Sequence, residues 1–489
     1  MCYHCLRTLI FSGKSGNFAL CNHIKWEKKM KRLLLIPLLF CAALCCQAQE
    51  LKPRLVVLTD IGPADVEPDD NESAVRLLSY ADRFEIEAIC TSIGWNCDPY
   101  PEEWAEYLNR VVDAYETDVK NLMKRSNQIG FMSQFAENGK QKLGYWPSAK
   151  YIRSRVMMGS KKAGIGVIGK DNDSPGSDFL IKLADENDPR PIWVTAWGGA
   201  NTLAQAIWKV KQTRSPEDFK KFLHKFRLYT ITDQDMQYSM RMDRAYSSHQ
   251  WLRREFPEDL MLIWDESAWL NQNELGKQNW KKYVDNIQGK GAMGKVYPTF
   301  KWGVEGDTPS FLHLMPNGLN DPNSPEQVGW GGYHLFSLSP DSITNAWANW
   351  QPDVKSISDT YEKRFYPDEF NDFAARMAWA AEGKGNTNPV VIINGKKGIS
   401  QIELTAKAGN YITIDASKSY DKEGNKLSFL WWQQKELGVP VQIFEAHTSV
   451  ARILVPQKAK GHDLHIICEV RDNGPFQLVS YRRVIIKVE

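Results

Sequence analysis

Six carboxylates follow an apolar run within residues 58–78. The stretch reads LTDIGPADVEPDDNESAVRLL, and its acidic residues are Asp60, Asp65, Glu67, Asp69, Asp70 and Glu72. Like charges at this spacing repel one another, and a hard divalent cation with oxygen ligands offsets that repulsion. The spacing does not fit an EF-hand loop, which needs alternating acids and a glycine at its sixth position. The residues alone leave two interpretations open, a metal site and a solvated acidic loop.

Two prolines divide this acidic stretch. Asp65 and Glu67 lie between Pro63 and Pro68, so we expect these two acids to be the solvated part of the loop. Glu72 is expected in the first turn of the following helix, where negative charge suits the helix dipole.

Short apolar runs alternate with helical stretches around these acids. RLVVLTD, FEIEAICTSIG, PIWVTAWGG, FRLYTITDQD and DLMLIWDES are predicted strands, and NESAVRLLSYADRF, EEWAEYLNRVVDAYETDVKNLMK and NTLAQAIWKV have helical spacing. Asp70 or Asn71 is the expected N-cap of the first helix. This alternation predicts an α/β fold with a mostly parallel sheet and helices on both faces. Ligands bind beyond the carboxyl ends of such strands, so TDIG, TSIGWN, AWGGAN, TDQD and WDES should share one crevice.

The pattern changes near residue 385, where GKGNTNP has the composition of a linker. Short strands separated by turns follow, which predicts an α/β domain over residues 50–384 and an all-β immunoglobulin-like sandwich over residues 385–489. SYDKEGNKLSFLWW is similar to a segment of PKD-like modules. Trp431 and Trp432 are adjacent on a strand, so one should face the core and the other should be exposed, where it could bind polysaccharide.

Residues 30–48 have the order of a secretory signal peptide, with MKR before the apolar run LLLIPLLFCAALCC and Ala48 near the cleavage site. We therefore expect residues 1–29 to be an over-extended N-terminus. The protein should be exported to the periplasm or out of the cell, with no membrane span after cleavage. A lipoprotein anchor fits less well, because bulky Phe40 and Leu44 precede the cysteines. A buried apolar helix is the remaining alternative.

Composition places the chain among ordinary globular proteins. Its 489 residues suggest two or three domains, and 43% hydrophobic with 25% charged residues argues against disorder. A net charge of +2 gives no indication of a nucleic acid polymer as partner. Six of the nine cysteines lie within residues 1–46, and Cys90, Cys97 and Cys468 are too few for a disulfide framework. The sequence leaves open whether the protein forms a homo-oligomer.

Four segments between residues 54 and 335 resemble the motifs of nucleoside hydrolases, in the same order. LTDIG, with Asp60, resembles D-x-D-x-G without its first Asp, and DD resumes the motif after the insertion PADVEP. TSIGWN resembles T-T-V-x-G-N, and WGGANTLA resembles T-G-G-x-T-N-x-A. Asn320-Asp321 is similar to the family's late His-Asp pair. The resemblance implies a nucleoside-hydrolase-like α/β domain.

Nearly all of the chain after the signal peptide resembles an exported bacterial subfamily. That subfamily joins a nucleoside-hydrolase-like domain to a C-terminal sandwich and is described as cellulose-binding. The runs VTAWGGANTLAQA, TITDQD, EGDTPSFLHLMPNGLNDP and WGG carry this resemblance. It implies a sugar-containing small molecule or a polysaccharide as the partner.

The resemblance also implies site residues. Its calcium ligands would be Asp60, Asp70, Asp321 and the backbone carbonyl of Trp197, and its sugar-binding residues would be Asp69 and Asn96. Calcium lowers the pKa of a bound water, and Asp60 would act as the catalytic base that takes its proton. The water then attacks the anomeric carbon through an oxocarbenium-like transition state, which nearby carboxylates stabilise.

The sequence departs from the family at the leaving group. Asn320 replaces the His that helps the base to leave, and the A-E-F-N segment is missing, with Asp233, Asp235 and His249 in its region. Glu305 and Asp307 in VEGDTPS are candidate general acids. The alternative for this pair is to cap a helix that begins near Pro309, and the alternative for His249 is a surface or cap position.

Aromatic and amide side chains complete the predicted substrate site. Trp95, Trp197, Trp302 and Trp330 lie beside the glycine-rich and acidic segments, and aromatic faces stack on sugar rings. Asn201, Asn320 and Asp233 are further predicted substrate-binding residues.

Two functions follow from these residues. The first is a calcium-dependent hydrolase of N-glycosyl or related glycosyl bonds, which the presence of Asp60 favours. The second is a non-catalytic carbohydrate-binding protein that keeps the pocket, which the missing His favours. A third possibility is that calcium only stabilises the fold.

Overall fold

The computed structural model describes residues 50–240 and 243–489. The predicted over-extended N-terminus (1–29) and signal peptide (30–48) lie outside the described residues. Within the part of the chain that is described, no helix is long and apolar enough to cross a membrane. Cys90, Cys97 and Cys468 are buried free thiols.

An eight-stranded sheet forms the centre of the first domain. Its strands are β1 (Arg54–Thr59), β2 (Glu85–Thr91), β3 (Val156–Met158), β4 (Ile192–Ala196), β5 (Phe226–Ile231), β6 (Met261–Asp265), β7 (Leu335–Leu338) and β8 (Asn345–Ala348). They are ordered β3-β2-β1-β4-β5-β6-β8-β7, and every pair is parallel except β7 with β8. The predicted mostly parallel sheet is confirmed.

Helices pack on both faces of this sheet. They are α1 (Pro68–Ser79), α2 (Ala105–Arg125), α3 (Gln134–Glu137), α4 (Ala149–Arg155), α5 (Pro175–Ala184), α6 (Asn201–Thr213), α7 (Pro216–Leu223), α8 (Ser248–Glu255), α9 (Ala268–Gln278), α10 (Trp280–Asn286), α11 (Gly291–Val296), α12 (Thr308–Leu312) and α13 (Pro352–Glu382). The 31-residue α13 was not predicted from the sequence.

Strand β1 is buried on both faces. Leu55 and Val57 pack into one hydrophobic core, whereas Val56 and Leu58 pack into the core on the opposite face. Full burial of each of these side chains contributes about 1.5–3 kcal/mol. The two cores therefore fix the end of β1, where Asp60 follows.

The strand order reverses at β1. Strands β2 and β3 lie on one side of it, and β4 and the later strands lie on the other. The loops after β1 and β4 therefore leave in opposite directions, and they open the crevice in which such sheets bind ligands. TDIG and AWGGAN are these two loops, and the N–H of Trp197 donates to the carbonyl of Leu58 at 2.8 Å.

The C-terminal region is a β-sandwich, as predicted. Its strands are β9 (Ile392–Ile393), β10 (Lys396–Lys397), β11 (Ile402–Ala406), β12 (Tyr411–Asp415), β13 (Leu427–Gln433), β14 (Gln442–Phe444), β15 (Val450–Leu454), β16 (Asp463–Asp472) and β17 (Val479–Val488). One sheet has the order β11-β17-β16-β13 and the other β12-β15-β14, with a short β9-β10 hairpin beside them.

The sandwich packs directly on the α/β domain. The buried Arg483 of β17 donates to the carbonyls of Leu319 at 2.6 Å and Val328 at 3.3 Å. Arg471 forms an ion pair with Asp368 of α13 at 2.6 Å. Matched charges and hydrogen bonds therefore hold the two domains together.

The two adjacent tryptophans of β13 differ from the prediction in one respect. Trp431 is in the sandwich core, as predicted. Trp432 is not free for polysaccharide, because its ring packs 5.9 Å from that of Tyr361 and 6.3 Å from that of Phe365. The guanidinium group of Arg364 lies over the Trp432 ring, with its Cζ atom 4.2 Å from the ring centroid. The expected exposed tryptophan is thus part of the contact with α13.

Candidate functional site

The start of α1 places two acids at the crevice. The helix begins at Pro68, because proline is pre-organised for the first turn. Its N-cap is Glu67, three residues before Asp70, the earlier of the two predicted caps. Asp69 and Asp70 therefore occupy that turn, where the helix dipole favours negative charge. The Thr59 hydroxyl at the end of β1 donates to Asp70 Oδ1. Strand and helix together orient Asp70 toward the crevice.

Asp60 lies between two glycine loops. A Cβ added to Gly94 would lie 1.6 Å from Asp60 Oδ2, and one added to Gly198 would lie 2.8 Å from Asp60 Oδ1. Any side chain at Gly94 would displace the carboxylate. The glycines of TSIGWN and AWGGAN thus make room for Asp60 at the switch point, and they bring the backbone of Trp197 beside it.

Asp307 joins Asp70 from the other side of the crevice. It directly precedes α12, but its side chain makes no capping hydrogen bond to that helix. Its carboxyl group instead interacts electrostatically with that of Asp70. Asp307 is 3% exposed, and its Oδ2 atom has no hydrogen-bond partner within residues 50–240 and 243–489.

Glu67 also belongs to this cluster, which corrects the prediction that it is solvated. It is 7% exposed and accepts a hydrogen bond from Asn96 Nδ2 at 2.6 Å. Carboxylate oxygens of Glu67, Asp69 and Asp70 lie within 4.8 Å of one another. Asp65 is exposed, as expected. The chain turns at residues 63–67, so that Glu67 returns to the crevice at the start of α1.

Burial raises the pKa of every acid in the cluster, and for all of them except Asp69 the charges of neighbouring acids raise it further. Burial, followed by the charges of Asp70, Glu67 and Asp69, raises the pKa of Asp60 well above its usual value. The same effects raise the pKa of Glu67 to about 9 and that of Asp70 to about 8, and burial raises that of Asp69 to about 6. Burial and the charge of Asp70 raise the pKa of Asp307. The cluster therefore holds more negative charge than its surroundings stabilise.

These residues fit a hard divalent cation. Asp69 Oδ1 and Asp307 Oδ2 are buried oxygens without a hydrogen-bond partner among the described residues. Carboxylate and carbonyl oxygens are the ligands that calcium takes. The carbonyl of Trp197 accepts a hydrogen bond from Gln234 Nε2, and a carbonyl oxygen has a second lone pair.

Asn320 and Asp321 are not part of the cluster. Asn320 Nδ2 donates to the carbonyl of His313 at 3.0 Å, just past the C-terminal end of α12, whereas Asp307 precedes its N-terminal end. Asp321 Oδ1 accepts from Asn323 N at 3.0 Å. Asp307, at the other end of α12, is the acid whose charge acts on the cluster. A metal-binding Asp321 and a substrate-binding Asn320 stay predictions.

Glu305 is an anchor for the loop before Asp307. Its carboxylate pairs with Arg76 at 2.5 Å and accepts from Tyr297 Oη at 2.9 Å. Its backbone N–H donates to Glu72 Oε2 at 2.7 Å, and its φ of 56° lies in the left-handed region. Because of these contacts, Glu305 holds the loop before Asp307 in place, whereas the sequence suggested it as a general acid. They also place Glu72 inside the protein, beyond the first turn of α1.

The acids after β5 hold the start of α8. Asp233 Oδ2 accepts from Ser247 Oγ at 2.7 Å, and Asp235 Oδ2 accepts from Ser248 N at 2.5 Å. His249 is fully buried, and burial lowers its pKa well below the usual value.

Asn201, a predicted substrate-binding residue, is buried next to Gly199, and its Oδ1 atom has no hydrogen-bond partner among the described residues.

Of the four tryptophans predicted to contact a ligand, Trp95 and Trp302 have accessible rings, whereas Trp197 and Trp330 are buried. Trp95 packs edge-on against Tyr238 and Trp269, with ring centroids 5.2 and 6.4 Å away. Trp302 is 62% exposed, and its Nε1 atom donates to the carbonyl of Val66 at 3.2 Å.

The rings of Trp197 and Trp330 are buried in the core. Contact of these two rings with a ligand is therefore a wrong prediction. Trp197 Nε1 instead donates to Ser310 Oγ at 2.9 Å.

Helix α9 brings Trp269 and Asn273, which the sequence did not single out, beside Trp95 and Gly306. Gly306 lies between Asn273 and Asp69, because a Cβ there would be 3.1 Å from Asn273 Nδ2 and 3.0 Å from Asp69 Oδ2. Their place in the sequence could have indicated them, because α9 directly follows WDES, a segment expected in the crevice.

Family models match both parts of the chain. One described as "Cellulose-binding Sde182, nucleoside hydrolase-like domain" matches residues 54–334, more than half of the chain. A second, "Cellulose-binding protein Sde0182, C-terminal domain", matches residues 411–488. No curated protein matches the chain.

Solved structures give a similar result. A nucleoside hydrolase-related hypothetical protein from Saccharophagus degradans, described as associated with carbohydrate metabolism, is 33% identical with a TM-score of 0.76 and covers 90% of this chain and 100% of its own. The PKD domain of the KIAA 1837 protein is 31% identical with a TM-score of 0.15, over 18% of this chain and 81% of its own. A plant nucleoside hydrolase is 12% identical with a TM-score of 0.31, over 68% and 99%. The last two likenesses are too weak to indicate an activity.

Proposed function

The chain belongs to the Sde182 family of cellulose-binding proteins with a nucleoside hydrolase-like domain, and we propose that it hydrolyses an N-glycosyl or related glycosyl bond. Its substrate is a sugar-containing small molecule or polysaccharide. Residues 30–48 have the pattern of a signal peptide, so the protein acts in the periplasm or outside the cell.

The observation that carries this proposal is the convergence of five acids at the switch point. Asp60, Asp70 and Asp307, with the carbonyl of Trp197, would hold a calcium ion. When bound, this ion would offset the negative charge and make a water molecule more acidic. Asp307 takes this part in place of Asp321, and we therefore do not assign it as the general acid.

Asp60 is the proposed base. Its carboxylate accepts a proton from the attacking water, whose oxygen bonds to the anomeric carbon while the bond to the leaving group breaks. The leaving group departs with the electron pair of that bond. The remaining carboxylates stabilise the positive charge that develops on the sugar ring.

Asp69 and Asn96 are the proposed ligands for sugar hydroxyls. Asp69 lies at the edge of the cluster with one oxygen free of hydrogen bonds, and Asn96 is exposed beside Glu67. A hydroxyl can donate to the first and accept from the second.

The second candidate function is carbohydrate binding without turnover. The exposed Trp302 and the description of the family as cellulose-binding favour it. The buried His249 and His313, whose pKa burial lowers, favour it too, because neither offers a proton to a leaving group in the crevice.

Turnover assays separate the two functions. The purified protein is incubated with nucleosides, other N-glycosides and plant oligosaccharides, with calcium and with a chelator, and released sugar is quantified. The Asp60→Asn variant should lose about 10²–10⁴-fold in rate. The matched variant Asp65→Asn changes an exposed acid of the same loop and should retain activity. Binding without turnover on every substrate would reject the hydrolase and leave the binding protein.

A further inference from the structure

We propose that Trp269 and Asn273 of α9 recognise the hydroxyl groups of a neutral sugar ring, and that Trp302 stacks on a second ring of the same oligosaccharide. This inference deepens the proposed function and rests on it for the position of the substrate. It concerns substrate class, so it can fail or succeed independently of hydrolysis.

Trp269 and Asn273 lie on one face of α9. They are four residues apart, a rise of about 6 Å along the helix. Trp269 reaches the aromatic wall, with its ring 6.4 Å from that of Trp95. Asn273 reaches the acidic cluster, where it meets Asp69 beside Gly306. The helix therefore spans the crevice wall from the aromatic side to the acidic side.

Each of the two residues has a buried polar atom that lacks a hydrogen-bond partner in the part of the chain that the structure describes. Trp269 Nε1 is a donor, and Asn273 Oδ1 is an acceptor. A buried polar group normally has a hydrogen-bond partner, and leaving one unpaired is unfavourable. Asp307 Oδ2, in a side chain that is 3% exposed, is a further unpartnered acceptor in the same crevice. A hydroxyl-bearing ring supplies both donors and acceptors to these atoms.

The charge of the crevice selects a neutral ring. Arg76, on the same helix as Asp69 and Asp70, is already paired with the buried Glu305. Lys301 lies over the ring of Trp302 at 4.6 Å and donates to the carbonyl of Asp65. A uronate or phosphate would add negative charge to the five acids, which disfavours its binding.

Trp302 is placed for a second ring at the mouth of the crevice. It contacts Val66 through its indole nitrogen, whereas Asn96 contacts the neighbouring Glu67. The hydrogen bond fixes the indole, and 62% of the residue remains exposed. A fixed aromatic face stacks on a sugar ring at little entropic cost.

Calorimetric titration with cellotetraose and with tetragalacturonate tests the inference. These probes have the same number of rings and differ in charge. The calcium-loaded wild-type protein should bind cellotetraose at least about tenfold more tightly, since like charge opposes the anionic probe. Trp269→Phe removes the N–H and keeps a ring, and Asn273→Ala removes the amide. Each should weaken cellotetraose binding about fivefold, and Trp302→Ala about tenfold.

Glu274→Gln is the matched control, because Glu274 is exposed beside Asn273 on α9. It should bind cellotetraose like the wild type, and thermal unfolding of all variants checks that each is folded. Unchanged affinity in folded Trp269→Phe and Asn273→Ala would overturn the recognition role. Failure of cellotetraose to bind, or tighter binding of tetragalacturonate, would overturn the substrate class. The expected binding pattern without cleavage of any glycoside would reject the hydrolase alone.

Discussion

The crevice of the sheet and the contacts of α13 both bury charged side chains, but only the charges on α13 are paired with opposite charges. In the crevice, Asp60, Asp70 and Asp307 crowd together, and burial raises the pKa of each. On α13, the buried Arg376 pairs with Asp82 at 2.6 Å and with Asp372 at 3.1 Å. Matched charges of this kind serve the fold, whereas unmatched charges with unpartnered atoms indicate a binding site.

Arg376→Met should have the largest effect on stability. It removes the cation and leaves Asp82 and Asp372 buried without it, which costs about 3–5 kcal/mol. The free energy of unfolding in urea measures this loss. Lys384→Met, which changes an exposed cation just beyond the helix, is the control. Equal stability of both variants would contradict the structural part given to this pairing.

Removal of calcium should have the next largest effect. At a free calcium concentration of 100 times the Kd, binding stabilises the folded protein by about 2.7 kcal/mol. Adding a chelator should therefore lower the melting temperature measured by calorimetry. A melting temperature unaffected by both calcium and chelator would rule out the proposed cation site.

The two ends of α12 give a sharper test of that site. Asp307→Asn should weaken calcium binding about 10–100-fold, an effect of about 1.4–2.8 kcal/mol, because it removes a charged ligand. Asp321→Asn should leave the affinity unchanged, since Asp321 contacts Asn323 beyond the other end of the helix. Titration with calcium by calorimetry compares the two. The reverse pattern would restore Asp321 as the ligand.

The smallest effect should be a gain of stability. With a chelator at pH 8, Asp69→Asn removes one of several repelling carboxylates and should raise the free energy of unfolding by about 1 kcal/mol. The sign follows from its pKa of about 6, which lies above the usual value and makes the charged form unfavourable in the folded state. Asp65→Asn, in the exposed part of the loop, should change nothing. A loss of stability in Asp69→Asn would mean that the acids do not repel.

The strands β1, β2, β4, β5 and β6 could be predicted because each is a short apolar run followed by a turn signal. Asp60 follows from that pattern, since a residue after β1 must lie at the carboxyl edge of the sheet. The start of α1 at Pro68 was missed, although proline at the first helical position is a known signal. That error is also why Glu67 was assigned to solvent.

Asp307 and Asp321 could not be distinguished in the same way. Both follow glycine-containing segments, and the Asn-Asp pair resembles a motif more closely than Gly-Asp does. Only the path of the chain shows that Asp307 meets Asp70 while Asn320 turns back to His313. Trp269 and Asn273 were missed for a related reason, because a helical pattern does not tell which loop its polar positions face.

The covered ring of Trp432 affects how this protein could be divided or recombined. A separate sandwich cut near residue 385 would expose Trp432, and the remaining domain would expose Tyr361 and Phe365, with which the ring now packs. Fragments with such newly exposed apolar surface tend to aggregate. The sandwich is therefore a poor candidate for a portable module, and fusions are better designed with the chain kept whole from residue 50 to residue 489.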